Sequence, residues 1–455
     1  MEKKILIVDD EERVLQSIAG VLGDEGFRVI TARSGEEAIG TFQKEEPDIT
    51  LLDIWMPGLD GIEVLKRLKW ISPDCQVIMI SGHATISTAM TAVKLGAFDF
   101  IEKPLSLDAL LATIRRAIDR QNELFNMRRA GEIVTEEIPL RERLGGKEIS
   151  EDLAHSLPSS YREGVLPTKK ALKKKKDFVF HQKTIKRSVV LYGTGLHSGM
   201  KTGLLLQPLP PNNGILFGNI SSDEVVPAHI DYVETAEFAT SLKRGRAIAK
   251  TIEHLMAVLH AYRITNLMVK MIEEIPIMDG SALEFCKMVE EAGVEEQEER
   301  VEELVIDRRL EVIHPNKSLI IEPAETFSVH YFLDYPSPIG QQVLDFILED
   351  EKAFKDEIAP ARTFGFVKDV EMLERMRMGE GARFHNFILV DDEKVVNTEL
   401  RFPDEFVRHK ILDLIGDFYL LNRPIRGKVT ARLTGHTENI ALLKKIREEI
   451  RERKG

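Results

Sequence analysis

Cysteine is scarce: Cys75 and Cys286 are the only two in 455 residues, and they form no CxxC pair. That excludes a thiolate zinc site and a disulfide framework, and it fits a reducing compartment. No apolar run reaches the ~18 residues needed to cross a bilayer. The start of the chain, MEKKILIVDDEE, lacks the apolar core of a signal peptide, because acids follow its short apolar run. These absences predict a cytoplasmic protein with no transmembrane segment. Positive charge is in deficit, at a net −13, which argues against a general nucleic-acid binder. No GxxxxGK[ST] phosphate loop occurs either. The remainder is ordinary for a globular chain, with 43 % hydrophobic and 30 % charged residues. The length allows roughly three domains of ~150 residues.

The first 120 residues alternate five apolar runs with five helical patterns. Strands are predicted at 4–8, 29–30, 49–52, 77–80 and 98–101. Helices are predicted over 14–22, 35–42, around 65–68, over 86–95 and over 107–118. Such alternation implies an α/β doubly wound, flavodoxin-like unit with a parallel sheet, whose ligands bind beyond the carboxyl ends of the strands. Asp9, Asp10, Asp53, Ser81 and Lys103 all fall at those ends. Three carboxylates suit a hard cation such as Mg2+. A hydroxyl and a lysine around them suit phosphoryl transfer to Asp53. One acid at a strand end is often just solvated, but five groups at matching ends point to a site.

The motifs ILIVDDE, LLDIWMPGLDG, VIMISGHA and DFIEKP resemble the receiver domain of bacterial response regulators, especially receivers of the NtrX kind, over residues 1–120. The resemblance implies that Asp53 accepts phosphate from a sensor histidine kinase. It implies that Asp9 and Asp10, with Asp53, hold magnesium. Ser81 and Lys103 match the groups that sense the phosphoryl, and Phe100 matches the switch aromatic. The ATPase and DNA-binding domains that normally follow such receivers have no counterpart here, so no DNA binding is expected.

Residues 121–180 change character. Leu157-Pro158 and Leu166-Pro167 break structure, and Lys169–Lys176 is a charge run. A solvated linker is expected, its first part extending the last receiver helix. The alternative is peripheral contact with an anionic membrane, each lysine adding about 1 kcal/mol.

From Gln182 onward the pattern is α+β in two similar successions, 181–302 and 303–455, with the Glu-rich stretch Glu295–Glu303 between them. Helices are predicted over 251–260, 283–291, 366–376, 404–421 and 438–452, and a short strand at 394–396. In His409-Lys410-Ile411-Leu412-Asp413-Leu414-Ile415-Gly416-Asp417, helical spacing puts His409 and Asp413 on one face, with Asp417 a turn further on. An imidazole and a carboxylate presented together are two legs of a zinc site. Glu253-His254 lies in another helical pattern, and Gly435-His436 follows a strand-like run. A lone histidine is more often a satisfied core residue than a ligand, and chance pairs are expected among twelve. The combination carries the expectation that these segments converge on one metal.

GTGLHSG, TIEHLMAVL, PIMDGSA, APARTFGF, LRFPDEFVRHKILDLIGD and TGHTEN resemble, in order and spacing, the UDP-3-O-acyl-N-acetylglucosamine deacetylase family over 182–452. The resemblance implies a two-subdomain α+β fold with helices packed between sheets, and a zinc hydrolase of lipid A synthesis acting on UDP-3-O-acyl-N-acetylglucosamine. His254, His409 and Asp413 would bind Zn2+. Glu253 would be the general base, His436 the general acid, Asp417 the carboxylate holding His436 charged, and Thr363 an oxyanion donor. Lys410, Phe364 and His197 match substrate-facing positions. Two departures stand out. Residues 379–388 read GEGARFHNFI, bulkier and more basic than the family pattern, and Leu433 stands where lysine is common. They leave a second reading, a catalytically weak sugar-nucleotide sensor in two-component signalling.

Overall fold

The computed structural model describes residues 3–82, 86–103, 105–129, 179–220, 222–383 and 385–452. Of the linker expected over 121–180, residues 130–178, with the lysine run, lie outside the described residues.

Five strands, β1 Lys4–Val8, β2 Arg28–Ala32, β3 Ile49–Asp53, β4 Gln76–Ser81 and β5 Asp99–Glu102, form a parallel sheet in the order β2-β1-β3-β4-β5. Helices α1 Glu12–Asp24, α2 Gly35–Glu45, α3 Gly61–Ile71, α4 Ile86–Lys94 and α5 Leu107–Arg129 connect them. β3 and β4 are buried along their whole length, because helices cover both faces. Apolar side chains on either face of the sheet form separate cores. Helix α5 continues well beyond the periodicity that ends near Ile118.

The C-terminal unit has two main sheets. In the first, Val225–Pro227, Ile215–Asn219, Leu267–Met271, Lys201–Pro208 and Val189–Thr194 lie in that order. In the second, the order is Leu310–Ile313, Ser318–Glu322, Ile425–Arg432, Phe327–Asp334 and Gln341–Ile347, with Leu304–Val305 also paired to Ile425–Arg432. Helices α6 Glu253–Ala261, α7 Leu283–Ala292, α8 Glu351–Glu357, α9 Val370–Arg375, α10 Glu405–Phe418 and α11 His436–Glu452 complete the unit. Residues of both sheets and of α6, α7, α10 and α11 share one continuous core.

Helices α6 and α10 pack against each other in that core. All nine residues of α6 are buried, and so are all of the fourteen in α10 except Arg408 and Lys410. A helix buried on every side must satisfy its polar groups internally, so the acids and histidines it carries need partners close by.

Two readings need correction. The Glu-rich stretch is no separator: Val294–Glu302 is a strand, antiparallel to Val179–Ile185. The expected strand at 394–396 reduces to one isolated bridge between Val390 and Val395. Gly435-His436 follows the strand Ile425–Arg432, and His436 is the first residue of α11.

Candidate active site

Glu253 and His254 open α6. The preceding Thr251 adopts a left-handed backbone, φ 56°, and its hydroxyl donates to Glu274 at 3.1 Å. The turn delivers both side chains to the helix N-terminus, where the positive end of the dipole favours a carboxylate. On α10, His409 and Asp413 share a face as the spacing predicts. The two helices approach closely because of Gly416: a Cβ there would lie 2.0 Å from the Glu253 carbonyl oxygen. Before α11, Leu433 is left-handed at φ 52°, and the Gly435 N–H donates to the Glu438 carboxylate at 2.9 Å. That half of a capping box fixes the turn that presents His436.

These elements bring together His254, His409 and Asp413, one ligand atom from each lying within 4.8 Å of the others. All three are buried. The imidazole Nε2 atoms of His254 and His409 stand 3.7 and 3.5 Å from Asp413 Oδ1. Nδ1 of His409 is 3.2 Å from the Ala361 carbonyl, and donating its proton there leaves Nε2 as the free lone pair. Burial pushes His254 down to about 3, His409 adding to the effect, and burial also lowers His409 against the pull of Asp413. Burial pushes Asp413 up, but His409, Lys410 and His436 overcome it and hold the carboxyl far below its ordinary value. Two neutral imidazoles and an ionised carboxylate fit a divalent cation, and three protein ligands leave a position open.

Around this cluster lie the proton-handling groups. Burial pushes the Glu253 carboxyl up to about 7, with His436 pulling it down and Asp413 and Asp417 pushing it up. His436 Nδ1 is 2.7 Å from Asp417 Oδ2, and its Nε2 is 3.8 Å from Asp413. Burial lowers His436, yet Asp417 and Asp413 together raise it to about 10, so the imidazolium persists at neutral pH. Lys410 donates to Asp413 Oδ2 at 3.1 Å and lies 5.7 Å from the Phe364 ring centroid.

A cleft of about 280 Å³ opens onto these groups. Thr363, Phe364, Lys410 and His197 line it, as do Glu253 and His436. Neither ring nitrogen of His197 has a hydrogen-bond partner among the described residues. Burial lowers its pKa against the pull of Glu274, which makes a neutral ring. Asp417 alone of the expected set stands behind the cleft rather than on it.

The sequence reading missed Thr240, Asn439 and Glu274. Thr240 donates from its hydroxyl to Asp417 and from its backbone N–H to Glu253. Asn439 donates to Asp417 Oδ2 at 2.9 Å. Glu274 accepts from the backbone N–H groups of His197 and Ser198 at 2.8 and 2.9 Å, holding that loop in place. Asn439 lies within the quoted TGHTEN motif, so its signal was visible. Thr240 and Glu274 stand in stretches with no distinguishing pattern.

In the N-terminal unit, Asp9, Asp10 and Asp53 also bring ligand atoms within 4.8 Å of one another, a set of oxygens that fits a hard cation. Lys103 Nζ donates to Asp9 at 2.7 Å and to Asp53 at 3.3 Å. Burial raises the Asp53 pKa, Lys103 opposes it and Asp9 reinforces it. Ser81 is fully buried at the end of β4, and Phe100 is buried on β5 opposite Met79.

The family model for UDP-3-O-acyl N-acetylglycosamine deacetylase (LpxC) matches residues 182–448. The chain belongs to this deacetylase family. The model for the response regulator receiver domain matches residues 5–115, so the deacetylase follows a receiver. A UDP-3-O-acyl-N-acetylglucosamine deacetylase of Myxococcus xanthus (strain DK1622) is 42% identical over 274 residues, covering 59% of this chain and 86% of that one. One of Coxiella burnetii (strain CbuK_Q154) is 38% identical over 274 residues, covering 58% and 89%. Among solved structures, the receiver domain of NtrX from Brucella abortus is 42% identical, covering 25% of this chain and 98% of that one, at a TM-score of 0.25. No helix of the described residues is long and apolar enough to cross a membrane.

Proposed function

We propose that this chain hydrolyses the acetamide of UDP-3-O-acyl-N-acetylglucosamine, giving UDP-3-O-acyl-glucosamine and acetate, as a zinc-dependent cytoplasmic step of lipid A synthesis. The observation that carries the proposal is the buried His254–His409–Asp413 cluster, flanked in one cleft by Glu253 and His436. Family membership supplies the substrate class. His254, His409 and Asp413 would hold Zn2+, which when bound supplies Lewis acidity toward water and the amide carbonyl.

The chain's own groups do the rest. The Glu253 carboxylate, raised by burial toward neutrality, accepts a proton from the attacking water. The water oxygen bonds to the acetyl carbon. The Thr363 hydroxyl donates to the oxygen on which negative charge develops. His436, charged through Asp417, gives its Nε2 proton to the sugar nitrogen as the carbon–nitrogen bond breaks. Acetate and the free amine leave. Lys410, Phe364 and His197 contact the sugar nucleotide.

The receiver is the regulatory input. Asp9, Asp10 and Asp53 would hold Mg2+ there, and Asp53 would take phosphate from a sensor histidine kinase. Ser81 and Lys103 would register that phosphate, and Phe100 would switch with it. The domain division that goes with this reading is a receiver over 1–120, a linker over 121–180 and deacetylase subdomains over 181–302 and 303–455.

Acetate release by the purified full chain with one equivalent of zinc tests the enzyme reading. Glu253→Ala keeps its metal and loses most of the rate, whereas His409→Ala loses both. Full metal content and full rate in His409→Ala would sink the ligand assignment. A wild-type chain that binds zinc and the UDP-sugar but releases no acetate would instead support the sensor reading.

A further inference from the structure

Helix α4 of the receiver packs against helix α9 of the deacetylase. The contact belongs to a larger seam. Ala89 and Ala92 on α4 and Phe100 on β5 form one contiguous buried cluster with Ala382, Phe387 and Leu389 of the deacetylase. Those three are 4%, 7% and 0% exposed. Val370 on α9 packs against the same cluster. A shared apolar core across two domains, rather than a polar skin, is what holds domains in one arrangement.

The deacetylase side of this seam is also the wall of the cleft. Asp369, just before α9, and Met372 and Leu373 within it line the cleft, as does Leu196 beside His197. The 379–389 segment, which supplies the seam residues, is joined to that loop backbone to backbone. Gly381 N–H donates to the Leu196 carbonyl at 2.9 Å, and Glu380 N–H to the His197 carbonyl at 3.3 Å. A Cβ on Gly381 would sit 1.9 Å from the Gly195 carbonyl oxygen. No side chain separates the two segments, so a displacement of one moves the other. From its far side the loop is gripped by Glu274. His197 is thereby held between the deacetylase core and the segment on which the receiver rests.

We infer that the α4–β5 face of the receiver is docked on α9 and the 379–389 segment of its own chain, and that this contact sets the position of the cleft wall carrying Met372, Leu373 and His197. The acidic site of the receiver lies close to the same contact: Phe100 is on β5, paired with β4, and β4 ends at Ser81. A change at Asp53 therefore reaches the cleft wall through a packed interface, without a partner protein.

Hydrogen exchange of the full chain, read by mass spectrometry, tests the dock from both sides. Val370→Arg places a charge in the seam from the deacetylase side. Exchange in the receiver peptide covering α4 then rises by roughly tenfold, while β1 and β3 keep their protection. The second arm uses wild-type protein treated with acetyl phosphate and Mg2+. An Asp53 carboxylate oxygen bonds to phosphorus, the bond from phosphorus to the acetyl oxygen breaks, and acetate leaves. Exchange in peptides 367–389 and 195–200 then changes several-fold, and Asp53→Asn abolishes the change. The inference is overturned if neither perturbation crosses the seam. It is equally overturned if α4 protection falls on dilution, which would make a second copy the occupant. The inference rests on the deacetylase reading only in taking the cleft as the place where substrate binds. Exchange is read without turnover, so failure here and failure to release acetate are separate results.

Discussion

The Thr240 hydroxyl donates to Asp417 Oδ1 at 2.6 Å, and the same residue's backbone N–H donates to Glu253 at 3.1 Å. One fully buried threonine thus spans the proposed base and the carboxylate behind the proposed acid. Thr240→Val keeps the shape and the backbone donor but removes the hydroxyl. A hydrogen bond to a charged group contributes ~1.5–3 kcal/mol, so kcat should fall on the order of tenfold or more with little change in KM. Thr240→Ser should recover most of the loss. Steady-state kinetics on the three proteins decide it, and an undiminished kcat in the valine variant would remove Thr240 from the proton path.

A buried ion pair anchors the start of α10. Arg362 donates to Glu405 through Nε at 2.8 Å and a terminal nitrogen at 3.1 Å, and Glu405 is fully buried. Arg362→Leu leaves that carboxylate without its charged partner. The expected loss is about 3–5 kcal/mol of stability, read as a lower denaturant midpoint with unchanged slope.

His260 makes folding sensitive to acid. Its Nδ1 is 2.9 Å from the Ile415 carbonyl, and the ring stacks on Tyr419 at 4.6 Å. Burial pushes its pKa down to about 4 from 6.5. Above the unfolded value neither state holds the proton, and the stability is fully present. As pH falls below it the unfolded chain takes up a proton that the folded chain refuses, so stability is lost down to about pH 4. The full difference is on the order of 3 kcal/mol. His260→Phe should start less stable at neutral pH, its Ile415 carbonyl lacking a donor, yet lose less between about pH 7 and about pH 5. Urea midpoints at both values test this. Equal pH dependence in the two proteins would rule His260 out.

The two metal clusters should separate on chelation. After exhaustive chelation, zinc alone should restore acetate release, because the cluster on α6 and α10 is rich in nitrogen. Magnesium alone should restore labelling of Asp53 by acetyl phosphate, because its cluster offers only oxygen. Recovery of both properties with either metal would contradict the assignments.

Much of this was legible in the sequence for physical reasons. β3 and β4 read clearly because burial on both faces demands continuous apolar runs. α10 read clearly because His409, Asp413 and Asp417 keep helical spacing. The strand Val294–Glu302 did not: every one of its side chains is exposed or half-buried, so it has no apolar alternation, and it exists through pairing with Val179–Ile185. The edge strand Gln341–Ile347 was equally silent, with one buried side chain. Thr240 carries no local signature, since its role comes from Asp417, 177 residues away. The residues of the seam with the receiver were not legible, because alanines at 89, 92 and 382 look like any helix or loop filler.

Gly416 sets the separation of α6 and α10, and that spacing has a consequence for how the chain is made. The proposed base and first ligand, at 253 and 254, are synthesised long before the ligands at 409 and 413 and the acid at 436. No amino-terminal fragment ending before His436, the first residue of α11, holds the whole proposed centre. A nascent product that stops short of it carries at most the proposed base and ligands, without the proposed acid. The proposed activity can therefore begin only once synthesis has passed the start of α11.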